Sequence, residues 1–140
     1  MTEAVLDASV FLKWFHPHNE ADLPAAHALR DAMRARTLLV FVPPLLYLEI
    51  LNVAGKRWRL KRDDLVEIAH ALETLPLEIR QPALGGIAEW TSLGLTAYDA
   101  SYVALAQAES LPLLTDDHQI LQIAPTIAKS LATISAAGIN

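Results

Sequence analysis

The 140-residue chain has no cysteine. Disulfides and thiolate metal sites are therefore excluded, and a reducing cytoplasm fits that composition. Basic residues are also scarce: eleven lysines and arginines against sixteen acids give a formal charge of −5 and a pI near 5.4. That excludes nucleic-acid binding through bulk positive charge, so any such role must use local patches. Long hydrophobic runs are missing too. None approaches the ~18 residues of a membrane span, and the N-terminus carries no signal-peptide pattern. Repeats and low-complexity segments are absent. Apolar side chains, by contrast, make up 53% of the chain, with a mean hydropathy of +0.28. One domain with a real core accounts for much of this. The surplus suggests an apolar surface kept for a partner or a second copy.

Short apolar segments alternate with helical patterns along the chain. Ala4–Leu6 reads as a minimal buried strand with Asp7 at its carboxyl end, followed by Ala8-Ser9 and the apolar Val10–Leu12. Phe15–Asn19 reads as a loop whose His16 and His18 lack a third metal ligand. Pro24 suits the first turn of a helix, and Ala25, Ala28, Leu29, Ala32 and Met33 form its apolar stripe. Leu38–Val42 is a strand stopped by Pro43-Pro44. The helix 45–54 follows, ended by Gly55 in the C-cap role. It is apolar almost all round, which predicts burial on most of its circumference, with Glu49 as its one charge. A buried carboxylate needs a cation. Asp63 or Asp64 caps a further helix, Leu77–Ile79 is a short strand, and Pro82–Trp90 is a helix weakened by Gly85-Gly86.

Thr96-Ala-Tyr-Asp99 opens an amphipathic helix as a capping-box-like start. Leu111–Leu114 predicts a buried strand, after which Thr115 opens a helix with Asp116 and Asp117 in its first turn. A last edge strand falls somewhere in 127–134. The chain thus divides into one domain, 1–134, and a loose tail, 135–140. This order predicts an α/β fold with a parallel sheet of four or five short strands, covered by helices on both faces.

Taken singly, each acid has an ordinary explanation in helix capping or the helix dipole. Taken together, Asp7, Glu49, Asp99 and Asp117 all lie near strand ends and can converge on one cleft. Four such carboxylates repel one another, so convergence demands divalent metal. All-oxygen ligands select magnesium or manganese over zinc. Such ions polarise a phosphodiester and lower the pKa of a bound water, which is metal-assisted phosphoryl hydrolysis. The single basic run, Arg57-Trp58-Arg59, could stack on a base or meet a partner, or simply dress a helix end.

The stretches VLDASVFLKW, PPLLYLEILNV, LTAYDASYVALA and LLTDDHQIL resemble the four acidic motifs of PIN-domain ribonucleases. The likeness is nearest to the VapC-type toxins of prokaryotic toxin–antitoxin pairs and spans residues 3–121. It implies a PIN-like three-layer α/β/α fold, with Asp7, Glu49, Asp99 and Asp117 as catalytic and metal-binding acids. Asp116 is a further candidate metal ligand beside Asp117, while Ser9 and Thr115 are supporting hydroxyls. The resemblance also implies a cytoplasmic, homodimeric, Mg2+- or Mn2+-dependent endoribonuclease held in check by a cognate antitoxin. Two other readings compete. One is a catalytically silent PIN-like binding module. The other is an Asp-phosphorylated receiver-like domain, for which Lys129 is the only candidate for the required late lysine.

Overall fold

A computed structural model describes residues 1–16 and 20–134. The expected loop at Pro17–Asn19 and the tail at 135–140 lie outside the described residues. Five parallel strands form one sheet: β1 (Thr2–Leu6), β2 (Leu38–Val42), β3 (Leu77–Ile79), β4 (Leu113–Thr115) and β5 (Ala128–Ser130). Their spatial order is β3-β2-β1-β4-β5. The chain therefore builds outward from β1 on one side, then returns and builds outward on the other. The switch point falls between β1 and β4, where ligands bind in sheets of this kind.

Helices connect the strands: α1 (Ala8–Phe15), α2 (Leu23–Arg34), α3 (Leu45–Asn52), α4 (Arg62–Thr74), α5 (Leu84–Ser92), α6 (Ala97–Glu109) and α7 (His118–Ile123). With the sheet they form the three layers, α/β/α. Ala4, Val5 and Leu6 of β1 are all buried, as are Val40, Phe41 and Val42 of β2. A strand buried at successive residues is covered on both faces, which is why these segments read as unbroken apolar runs. Helix α6 packs on both central strands β1 and β4 and pairs with α5. Its run Ala100–Ala106 is buried throughout.

The structure differs from the sequence reading in three places that bear on the site. The fourth strand is Leu113–Thr115, not Leu111–Leu114. Thr115 pairs with Ser130 of β5 and is fully buried, so the ladder carries the chain past the point where a helix was expected. Helix α7 then starts at His118, and Asp117 becomes its N-cap, accepting from the Ile120 amide. Neither Asp116 nor Asp117 lies in a first turn. Second, α3 does not stop at Gly55. It widens into a π-helical segment, Val53–Arg57, closed by the Trp58 amide on the Val53 carbonyl. Third, α3 buries only the narrow stripe of Leu46 and Ile50, while Leu48 is 71% exposed. The expectation of burial around most of its circumference was wrong, because α1 and α4 pack along only part of it.

Gly94 joins α5 to α6. Its amide bonds to the Thr91 carbonyl, and its φ of +114° lies where side chains are strained. One residue further on, buried Leu95 anchors the start of the helix that carries Asp99. Gly94→Ala should destabilise the protein by roughly 1–3 kcal/mol. Gly85, with open space where a Cβ would project, should instead tolerate alanine or gain up to about 1 kcal/mol. Urea midpoints at unchanged slope measure both changes.

Candidate functional site

Asp7 sits at the N-cap position of α1, yet its carboxylate caps nothing. The Ser9 hydroxyl donates to Oδ1 at 2.6 Å, and the Thr115 hydroxyl donates to Oδ2 at 2.5 Å. Each hydroxyl also accepts a backbone amide: Asp116 N–H on Ser9 Oγ at 3.1 Å, and Asp117 N–H on Thr115 Oγ1 at 2.9 Å. Two side chains thus link the exit of β1 to the exit of β4. The capping explanation fails for Asp7.

The other acids arrive from different elements. Glu49 comes from α3, where the Tyr102 phenol of α6 donates to its Oε1 at 2.6 Å. Asp99 lies one turn before Tyr102, in the first turn of α6, and its amide caps onto the Thr96 hydroxyl at 3.1 Å. Asp117 caps α7 through Oδ1. Asp99 and Asp117 therefore serve the starts of their helices, as the capping explanation expects.

Their electrostatics tie these four acids together. Burial pushes the Asp7 carboxyl up to about 7; the two hydroxyls oppose that, while the charges of Asp117 and Asp99 add to it. Burial also raises Glu49, opposed by the Tyr102 hydrogen bond and assisted by Asp99. Asp99 is raised by burial and by Asp117, against the Thr96 hydroxyl. Among the described residues no lysine or arginine pairs with any of the four. Tyr102 stays a proton donor, because burial and the Glu49 charge hold its phenol well above the usual range.

The donor set fits a hard divalent cation: all oxygen, anionic, and without a compensating cation. The acids are spread out, however, and among the described residues no three His, Asp or Glu close on a single point. Such an arrangement suits an ion that keeps much of its water and takes only one or two carboxylates, as magnesium does.

Asp116 faces elsewhere. Its Oδ2 lies 3.0 Å from the ammonium of Lys13, a buried residue on α1. The run Arg57-Trp58-Arg59 stands about two helical turns, on the order of 12 Å, beyond Glu49. Arg57 and Arg59 are exposed, whereas Trp58 is partly buried and stacks on His16, with ring centroids 4.4 Å apart. That ring face is already taken. Lys129 lies on the edge strand, two strands from β1, and lines a groove with Thr2 and Glu3 at the opposite end of β1 from Asp7. A receiver-like lysine is not where that reading requires it. Beside Glu49, a groove of about 670 Å³ runs along Leu45, Leu48, Leu51 and Tyr98. This is where part of the apolar surplus reaches the surface.

Two side chains at the site escaped the sequence reading: Lys13 and Tyr102. Lys13 is the only charge in Ala8–Phe15, the same isolation that drew attention to Glu49. Tyr102 carried no such signal, since at helical spacing it reads as core.

An α/β domain that gathers acids at the switch point of a parallel sheet is the class these features define. The chain belongs to the PIN domain family, whose sequence profile matches residues 4–125. The family read from the four acidic motifs is the one found. Searched against curated proteins, the chain has no significant match. Solved structures share the fold. PAE2754 from Pyrobaculum aerophilum is 26% identical, with a TM-score of 0.67 over 94% of this chain and 91% of its own. VapC20 of Mycobacterium tuberculosis, described as a sarcin-ricin loop cleaving toxin, is 11% identical, with a TM-score of 0.64 over 86% and 95%. VapBC2 from Rickettsia felis, bound to a promoter DNA fragment, is 12% identical, with a TM-score of 0.64 over 92% and 98%. Among the described residues no helix is long and apolar enough to cross a membrane.

The Asp7 carboxyl has a definite pH signature. Its folded pKa is about 7 against an ordinary 3.8, so between those values the folded state holds a proton that the unfolded state has lost. Stability must then fall as pH rises through that window and level off above it. In EDTA the wild type should melt clearly lower at pH 8 than at pH 5, and Asp7→Asn should flatten the difference. An equally steep profile in the variant would remove Asp7 as the cause.

Proposed function

We propose that this chain is a metal-dependent endoribonuclease and the toxin of a toxin–antitoxin pair. The observation that carries the reading is the buried Asp7 carboxylate at the switch point, raised by burial and by the charges of Asp117 and Asp99. Asp99 in turn acts on Glu49, and no lysine or arginine is paired with any of the four among the described residues. PIN family membership supports the nuclease class, and the description of VapC20 as a loop-cleaving toxin supports RNA as substrate. Toxin–antitoxin assemblies among the fold neighbours support an antitoxin partner, for which the apolar groove beside Glu49 offers a surface. A homodimer and a cytoplasmic setting belong to the same reading.

In this reading Asp7, Asp99, Asp117 and Glu49 would hold Mg2+ or Mn2+. When bound, the ion lowers the pKa of a water and stabilises charge on the scissile phosphate. The chain's own contribution is order. Ser9 and Thr115 fix both oxygens of Asp7, and Tyr102 fixes Glu49 while its phenol remains protonated. Asp117 is held by its own amide and by the cap it makes. These contacts set the carboxylates in place before substrate arrives, which limits reorganisation during reaction. The second reading is a silent binding module, in which Asp99 and Asp117 serve only the starts of their helices.

Cleavage of total cellular RNA with end mapping, with and without EDTA, separates the two. Discrete cuts that EDTA abolishes support the nuclease; intact RNA with added metal supports the module. Glu49→Gln should lower cleavage at least ~10²-fold, comparable to losing a key electrostatic group, with an unchanged fold by circular dichroism. Tyr102→Phe should cost less, since the carboxylate stays and only its hydrogen bond goes. Arg57→Ala with Arg59→Ala should flatten the salt dependence of RNA binding, because fewer counterions are released. An unchanged slope would return this run to helix-end dressing.

A further inference from the structure

Lys13 is the one fully buried cation among the described residues. Its ammonium sits on α1, one turn beyond Ser9, and its three donors meet three acceptors. Glu20 Oε2 and Asp116 Oδ2 each lie at 3.0 Å, and the Ala21 carbonyl lies at 2.9 Å. A buried ammonium so enclosed has no spare donor and little freedom to move. It ties three segments together: α1, the chain entering α2, and the loop leaving β4.

That loop presents two adjacent acids, and only one can suit the site. Successive side chains on extended backbone point to opposite sides. Asp116 turns toward α1 and Lys13, while Asp117 turns toward α7 and adds its charge to those of Asp7 and Asp99. Asp116 remains close in the network, because its amide rests on the same Ser9 hydroxyl that holds Asp7. Its carboxylate is only partly covered, so without Lys13 nothing among these contacts would retain it on that side.

We propose that Lys13 is a positioning residue that withholds Asp116 from the metal site and leaves Asp117 as the carboxylate this loop presents. The inference rests on the nuclease reading above. A released Asp116 competes with Asp117 for the ion, so metal still binds but binds unproductively.

The test compares full-length wild type, Lys13→Met and Lys13→Met/Asp116→Asn by two readouts. One is the Mn2+ concentration that half-saturates the rise in melting temperature; the other is RNA cleavage at saturating Mn2+. Lys13→Met should bind Mn2+ at least as tightly as wild type, having gained a free carboxylate. It should nonetheless cleave at least ~10-fold more slowly, as misplacement of a reacting group costs on this scale. The double variant, with neither charge, should recover cleavage to within about threefold of wild type, which is the coupling a mutant cycle isolates.

If Lys13 is only an anchor for the fold, the double variant stays as impaired as the single one, and the proposal falls. It falls equally if Lys13→Met cleaves like wild type, or loses Mn2+ binding together with activity. Should Lys13→Met fail to fold, the double variant decides alone: folded and active supports the proposal, folded and inactive overturns it, and failure to fold also overturns it. A wild type that neither cleaves nor shifts with Mn2+ refutes the nuclease reading itself, whatever the variants do.

Discussion

The Asp7 carboxylate, buried between two hydroxyls where β1 and β4 part, is the constraint on which the rest of the arrangement depends. Ser9 and Thr115 give it both of their protons, and their remaining capacity as acceptors goes to the amides of Asp116 and Asp117. Four hydrogen bonds therefore settle the acid and the path of the neighbouring loop at once. Parallel pairing of β1 with β4 brings these partners together from opposite ends of the sequence. On its other side Thr115 is held in register with Ser130 of β5.

Burying that carboxylate is costly, and the fold offers it no cation. Hydroxyl donors offset part of the desolvation, but the charges of Asp99 and Asp117 work against ionisation. The protein contains a buried ammonium a short way along α1 and uses it on Asp116 and Glu20 instead. This division is the clearest electrostatic statement the structure makes. That ammonium is shared by two acids, while Asp7, Glu49, Asp99 and Asp117 have no lysine or arginine partner among the described residues. A domain selected for stability alone has little reason to keep such a set.

Around this centre the supporting elements are specialised by what they pack against. Helix α6 is buried along most of its length and presents Asp99 at its start and Tyr102 one turn later, so one helix both supplies an acid and orients another. Helix α3 is held by a narrow stripe and leaves Leu48 in solvent beside Glu49. The acid there is fixed from across the cleft by a phenol, and the apolar surface next to it remains open.

Much of this was legible in the chain. Unbroken apolar runs such as Leu38–Val42 and helical spacing such as that of Leu29 and Met33 report burial directly, so the alternation of strands and helices could be read, and with it a parallel sheet. Asp7 and Glu49 stood out because an acid at a strand end, or alone in an apolar helix, is at odds with its surroundings. Local pattern failed where partners distant in sequence decide. Pairing with β5 made Thr115 a strand residue and pushed the start of α7 to His118; Asp117 became a cap and Asp116 an ion-pair partner. The packing of α1 and α4 on one stripe of α3 set which of its apolar residues are covered, which composition cannot reveal. What the sequence determined by itself is the set of elements and the acids near their ends, because periodicity and isolation are local properties. Which of two adjacent acids pairs with a buried cation was decided by tertiary structure alone, because Lys13, which Asp116 meets, lies 103 residues away in the chain (116 − 13).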